Sequence, residues 1–113
     1  MDTIHKTLLE LRIPPHIYGF DYIHDAVDLL LSDKQYRHCT TKRLYPAVAL
    51  MNDTTASRVE RAVRHAIELC MTRAEPHALA AYFGGTIDQE KGVPSNALFL
   101  TILALHLEDK EAL

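Results

Sequence analysis

The chain has 113 residues, of which 48% are hydrophobic, and a formal net charge of −3. This size permits one hydrophobic core and, with no internal repeat, predicts a single domain over residues 1–113. No apolar run approaches the roughly 20 residues that span a bilayer, and the N-terminus lacks a signal-peptide core, so we expect a cytoplasmic protein with no membrane partner.

Apolar residues recur at three- and four-residue spacing along most of the chain, which predicts an all-α protein, a compact bundle of about six helices. The expected helices cover, in order, residues 4–11, 18–31, 33–38, 41–51, 55–72, 76–83 and a last stretch capped by Ser95. Residues 86–94 are predicted to form a polar loop.

Proline and glycine mark several of these boundaries. The Pro14-Pro15 pair disfavours continuation of the first helix, Pro76 fits the first turn of a later one, and Gly84-Gly85 ends that helix. The last helix carries a strongly apolar stripe that should close the core, although an exposed remnant of it would instead meet a second protomer. The members of the stripe are Leu98, Phe99, Ile102, Leu103, Leu105 and Leu107.

Residues 41–51 and 55–72 read as two helices joined by a tight turn, the arrangement of a helix-turn-helix unit. Pro46 fits the opening turn of the first helix. The joining turn contains no glycine, so we expect Asn52 or Asp53 to adopt the left-handed conformation. The side chains of the first helix that should face the core are Leu44, Val48 and Met51.

The second of these helices has one apolar and one polar face. Thr54 or Thr55 would cap its start. Arginines on a polar face can neutralise phosphates and bond to base edges, although most helices with such a face are simply solvated. The apolar stripe consists of Val59, Ala62, Val63, Ala66, Ile67 and Cys70. The polar face consists of Ser57, Arg58, Glu60, Arg61, Arg64, His65 and Glu68.

Charge is distributed unevenly along the chain. Residues 40–73 hold six basic and three acidic side chains, whereas the whole chain has a net charge of −3. Because electrostatic attraction acts over about 8 Å at physiological salt, a local positive stripe can bind phosphate on an acidic protein. The net charge therefore does not exclude DNA binding.

Residues 54–68, TTASRVERAVRHAIE, closely resemble the recognition helix of the C-terminal effector domain of stage-zero sporulation protein A, a family of sporulation response regulators. Similar segments recur along nearly the whole chain, at residues 13–19, 41–46, 83–86 and 94–96. The resemblance implies an all-helical domain that binds a TGTCGAA-like box in double-stranded DNA, as a dimer or in tandem copies. It also implies contact with RNA polymerase and a role in sporulation initiation.

The resemblance also assigns roles to individual residues. The family's base-reading pair falls on Glu60 and Arg61, and Arg58 matches a further DNA-facing position. This transfer makes chemical sense, because a guanidinium can bridge guanine O6 and N7 and a carboxylate can accept from cytosine N4. The residues expected to contact the DNA backbone are Ser57, Arg64, His65, Lys42 and Thr55.

Two features depart from the family pattern. The family's N-terminal receiver domain does not fit beside this domain in 113 residues, so we expect either an excised domain or a stand-alone paralogue. Met1 followed directly by domain-like sequence favours the second. Leu50 and Met51 stand where the family is expected to be more basic, which removes phosphate contacts.

The alternative function is a protein-interaction module that keeps the fold without reading DNA. Such a module would titrate a full-length regulator or contact RNA polymerase. Exposed, unpaired side chains at Arg58, Glu60 and Arg61 would favour DNA reading, whereas their burial in ion pairs would favour the alternative. The candidate protein contacts are Asp21, Asp25, Asp28 and residues 73–77.

We expect no enzymatic activity, no cofactor and no metal site. The chain contains no nucleophile-elbow, zinc-protease or phosphate-loop motif. His24 and Asp28 lie one helical turn apart, but no third ligand has convincing spacing. Cys39 and Cys70 lack CxxC spacing and are expected to be reduced thiols.

Overall fold

Six α-helices, numbered in chain order, make up the computed structural model, which describes residues 2–87 and 92–112, with side chains up to residue 108. They are α1 (Thr3–Glu10), α2 (Tyr18–Ser32), α3 (Tyr45–Met51), α4 (Ala56–Arg73), α5 (Pro76–Phe83) and α6 (Asn96–Ala112). A 3-10 turn (Lys34–His38) and a π-helical turn (Thr40–Leu44) connect α2 to α3. No strand occurs in the described ranges, and the predicted all-α class is confirmed.

The ends of α1 follow from local hydrogen bonding. Asp2 caps its start, because the carboxylate accepts from the backbone N–H of His5 at 2.7 Å. At the other end Arg12 has φ +59°, and the N–H of Ile13 donates to the carbonyl of Leu8 at 3.1 Å, which is a Schellman motif. The predicted end of this helix before the double proline is confirmed.

α2 packs against α1, α3, α4 and α6 and so joins most of the fold. Gly19 permits its close approach to α4, because a Cβ at residue 19 would lie 2.3 Å from the carbonyl oxygen of Ala62. The largest side chains buried along α2, α4 and α6 include Phe20, Ile23, Leu30, Ile67, Phe99, Leu100, Leu103 and Leu107. The buried face of α4 packs into this core, which holds the helix in position.

α3 and α4 form the predicted helix-turn-helix. Asp53 takes the left-handed conformation expected of the turn, with φ +52°. Asn52 Nδ2 donates to the Asp25 carboxylate of α2 at 2.9 Å and to the Val48 carbonyl at 2.8 Å. The turn is therefore fastened to α2 as well as to its own helix.

Two details of the first helix in this unit correct the predictions. Residues 40–44 form a π-helical turn, so the α-helix begins only at Tyr45. Leu44 and Val48 are buried as predicted, and Tyr45 and Ala49 are buried beside them. Met51, predicted to face the core, is the last residue of the helix and is 54% exposed.

α5 begins and ends where the sequence predicted, and α6 begins at its predicted cap. Pro76 lies in the first turn of α5, and Gly84 ends it with φ +57°. Ser95 caps α6, since its Oγ accepts from the N–H of Leu98 at 3.1 Å. Of the predicted loop over residues 86–94, residues 88–91 lie outside the described residues.

The apolar stripe of α6 is only partly buried. Phe99, Leu103 and Leu107 lie in the core, whereas Leu98 and Leu105 are 41% and 43% exposed. Their seven-residue separation puts these two on one outward face, so the prediction that they help to close the core is wrong. None of the helices in the described portion is long and apolar enough to cross a membrane.

Candidate nucleic-acid interface

α4 is buried on one side and exposed on the other. The helix starts where Thr55 caps it, because the threonine hydroxyl oxygen accepts from the backbone N–H of Arg58 at 3.3 Å. The predicted apolar stripe is buried, apart from half-buried Ala62, and consists of Val59, Val63, Ala66, Ile67 and Cys70. Since this stripe is held by the core, the orientation of the outward face is fixed.

The three side chains predicted to read bases all lie on the outward face. Arg58, Glu60 and Arg61 are exposed. Within the described residues, none of their side chains makes a hydrogen bond or an ion pair. The surface therefore offers one carboxylate acceptor and two guanidinium donors that no protein group occupies.

A groove of about 530 Å³ opens on this face, and we call it the α6 groove. α4 supplies one wall with Ser57, Glu60, Arg61 and Arg64. The facing residues are Thr40, Thr41, Tyr45, Ser95, Asn96 and Ala97, from the π-helical turn, α3 and the start of α6. Side chains with hydroxyl, amide and charged groups thus surround two of the predicted base readers, Glu60 and Arg61.

Arg64 is less free than the other arginines on this face. Its guanidinium donates to the carbonyl of Pro94 and lies 3.7 Å from the Glu68 carboxylate, one turn along the helix. The side chain is half-buried. Arg64 therefore joins α4 to the segment before α6, whatever further contact its remaining N–H groups make.

The other predicted backbone contacts are all exposed. Lys42 is exposed on the π-helical turn, Ser57 is exposed in the first turn of α4, and His65 is exposed two turns further along. Thr55 is also exposed, although its oxygen already caps the helix. The α6 groove brings Ser57 and Arg64 together with Glu60 and Arg61, and leaves Arg58, Lys42 and His65 outside its lining.

The family comparison agrees with this arrangement. A family described as "Sporulation initiation factor Spo0A C terminal" matches residues 4–107, from α1 into α6. The chain belongs to this family. The Spo0A C-terminal domain is a DNA-binding domain that takes part in sporulation and transcription regulation.

In this Spo0A C-terminal domain the structure adds a residue that the sequence patterns missed. Asn96, the first residue of α6, donates from Nδ2 to the backbone carbonyl of Glu60 at 3.1 Å. The two residues lie 36 positions apart, so helical spacing carried no signal of their contact. Tyr45, also in the lining, is buried, and burial raises the pKa of its phenol.

His24 and Cys70 lie away from this face, and within the described residues neither belongs to a metal site. His24 Nε2 lies 2.7 Å from the Asp2 carboxylate and Nδ1 lies 3.6 Å from Asp25, so it faces neither Asp28 nor a metal cluster. Across the part of the chain that is described, no three His, Cys, Asp or Glu side chains are placed to hold a metal ion. Cys70 is buried, and burial raises the pKa of its thiol to about 12.

Proposed function

We propose that this Spo0A C-terminal domain inserts α4 into the major groove and reads a TGTCGAA-like box. The observation that carries the proposal is the state of Arg58, Glu60 and Arg61. They are exposed, without side-chain partners in the described residues, on a helix whose opposite side is fixed in the core. A helix held in this way meets DNA with its polar groups already oriented.

The two central readers have complementary chemistry. The guanidinium of Arg61 bridges O6 and N7 of a guanine, and the carboxylate of Glu60 accepts from N4 of a cytosine. Arg58, one turn before Arg61, reaches a neighbouring base edge. The C–G step inside the proposed box supplies both partners that this pair requires.

Backbone contacts set the register of α4 on the duplex without reading sequence. Lys42 and His65 reach phosphates from the edges of the face, and Ser57 donates its hydroxyl from the first turn. Thr55 can donate its own O–H to a phosphate while its oxygen caps the helix, because a hydroxyl has one donor and two acceptor sites. Arg64 adds positive charge while it holds Pro94.

Protein partners fit other surfaces. Asp25 is engaged by Asn52, so of the acidic residues on α2 only Asp21 and Asp28 are exposed for RNA polymerase. The segment 73–77 is exposed apart from Ala74. A second copy bound in tandem would meet the outward Leu98 and Leu105.

Fluorescence anisotropy tests the proposal directly. The protein is titrated into labelled duplexes that carry one or two TGTCGAA boxes, or a scrambled sequence, at two salt concentrations. We expect salt-sensitive binding with a preference for the box. Arg61→Ala should weaken box binding by about 1–3 kcal/mol, and the preference at the guanine it contacts should disappear.

Arg73→Ala is the matched control. Arg73 is exposed on the last turn of the same helix, about 18 Å along the axis from Arg61. It should reduce binding to both duplexes slightly and equally, if at all. Equal losses on box and scrambled DNA for Arg61→Ala would contradict the base-reading role.

The interaction module remains the second candidate, and one observation favours it. Leu50 is 86% exposed and Met51 is 54% exposed on α3, where an apolar surface suits a protein partner better than a phosphate. Under this alternative, purified protein would show no box preference at either salt concentration. Leu50→Lys would then abolish binding to the protein partner, whereas on a DNA reader it should strengthen binding to every duplex.

A further inference from the structure

A second groove, of about 540 Å³, lies on the other flank of the proposed base readers, and we call it the tyrosine groove. Arg58 and Arg61 form one side, Tyr18 and Tyr22 of α2 form the other, and residues 52–54 of the turn close one end. Arg61 therefore stands between the α6 groove and the tyrosine groove. A double strand that receives α4 in its major groove must place backbone on each flank of that helix.

Tyr18 is an unusual residue on this flank. It is 76% exposed, and within the described residues its hydroxyl makes no hydrogen bond. Its ring nevertheless has a defined orientation, because it stacks on buried Tyr22 with centroids 6.1 Å apart and planes 16° apart. The phenol is held in place without any partner for its O–H.

Gly19 explains why the Tyr18 ring lies beside α4. The missing Cβ lets the backbone of α2 rest against Ala62 and Ala66, at the turn that carries Arg61. Tyr18 precedes this contact and is thereby brought into a groove with Arg58 and Arg61. The phenol and the two guanidinium groups together present donors and positive charge to one strand.

We propose that Tyr18 binds the DNA backbone: its O–H donates to a phosphate oxygen, and its ring packs against the adjacent deoxyribose. This inference rests on the proposed DNA-reading function. Tyrosine hydroxyls are among the groups that contact phosphates, and an aromatic ring with a polar tip fits a surface that is part apolar sugar and part anion. Asp53 at the closed end repels phosphate and confines it to the open side, near Tyr18 and Arg58.

Tryptophan fluorescence locates the contact. The chain contains no tryptophan, so emission from a Tyr18→Trp variant comes from position 18 alone. We expect its intensity or wavelength to change on a duplex that carries the box, with the same midpoint as the anisotropy of the labelled DNA. Leu105→Trp, exposed on the outward face of α6, is the control and should not respond to a single-box duplex.

Two results would overturn the inference, and they are distinguishable. DNA binding by anisotropy without any change in emission at position 18 would show that the tyrosine groove stays empty, and would leave the reading by α4 intact. No binding of the native chain to either duplex would remove the proposed function and the Tyr18 contact together.

The affinity of a Tyr18→Phe variant for DNA provides a second test. Tyr18→Phe keeps the ring and its stacking on Tyr22 but removes the hydroxyl, so folding should be preserved. We expect binding to weaken about tenfold, the size of one hydrogen bond to a charged group. The loss should be equal on box and scrambled duplexes, because a phosphate contact reads no sequence. Unchanged affinity for both duplexes would overturn the phosphate contact.

Discussion

The side-chain amide of Asn96 holds the backbone carbonyl of Glu60 at 3.1 Å, in the middle of α4. One turn further along, Arg64 donates to the carbonyl of Pro94. Residues 94–96 are thus fastened twice to the helix that carries the proposed base readers. The position of Glu60 therefore depends on α6 as well as on the helix-turn-helix.

Asn96→Ala should therefore reduce the preference for the box more than it reduces the overall affinity for DNA. The lost hydrogen bond should lower the free energy of unfolding by about 0.5–1.5 kcal/mol in urea denaturation. In anisotropy, affinity for the box should fall while affinity for scrambled DNA changes little, because only base contacts depend on the exact position of Glu60. An unchanged ratio of the two affinities would show that Asn96 supports stability alone.

Arg64→Ala should act differently from Arg61→Ala. Arg64 contributes charge and a bond to Pro94, so its loss should weaken binding to all sequences alike and reduce the salt slope by about one. Because its side chain is partly exposed, the ion pair with Glu68 adds little to stability. A selective loss of box binding would mean that Arg64 reads a base.

Gly19→Ala should destabilise the fold. The new Cβ would lie 2.3 Å from the Ala62 carbonyl oxygen and 2.8 Å from the Ala66 Cβ, so α2 and α4 must separate. We expect a loss of about 1–3 kcal/mol in the free energy of unfolding. Gly85→Ala is the matched control, since no atom lies within 4 Å of the added Cβ, and it should be neutral or slightly stabilising. A neutral Gly19→Ala would contradict the close contact.

The cluster of His24 and Asp2 should make stability depend on pH. Burial alone would lower the pKa of His24, but the hydrogen bonds and charges of Asp2 and Asp25 outweigh it and raise the pKa above 6.5. The His5 backbone N–H, followed by His24, lowers the pKa of Asp2 below 3.8. The His24 contribution is therefore present below pH 6.5 and is lost as the pH rises through the folded pKa; the Asp2 contribution is present above pH 3.8 and is lost as the pH falls through its folded pKa.

Urea denaturation across a pH series measures this dependence. His24→Gln should cost most stability between pH 3.8 and 6.5, and the difference from the native chain should shrink above that range. His16→Gln removes an exposed imidazole from the turn before α2 and serves as the control. A His24→Gln deficit that is constant with pH would mean that no charge develops in the cluster.

The sequence predicted those structural features that depend only on residues close together in the chain. The helical spacing of α2 and α4, the cap at Thr55, the left-handed turn at Asp53 and the stop at Gly84 all depend on neighbouring residues, and each is confirmed. The π-helical turn before α3 depends on how residues 40–44 pack, and no periodic pattern announces its extra residue. Met51, at the end of α3, is exposed despite its helical spacing from buried Leu44 and Val48.

The candidate site divides in the same way. The residues on the outward face of α4 were predicted from their helical spacing. The residues that contact them lie far away in the sequence, so the spacing did not predict those contacts. Pro94 lies 30 residues from Arg64, and His24 bonds to Asp2 across 22 residues instead of to nearby Asp28. Contacts of this range arise only when the helices pack. The base-reading and backbone roles themselves stay predictions for the DNA measurements to decide.

Burial of Cys70 also has a practical consequence. Maleimides react with thiolates, and a thiol whose pKa is raised to about 12 inside the core supplies almost none at neutral pH. Cys39, only half-buried beside the π-helical turn, is the other free cysteine of the described chain. The native sequence therefore provides one selective attachment point, and a dye placed there would follow α3 and its neighbours on DNA without any substitution.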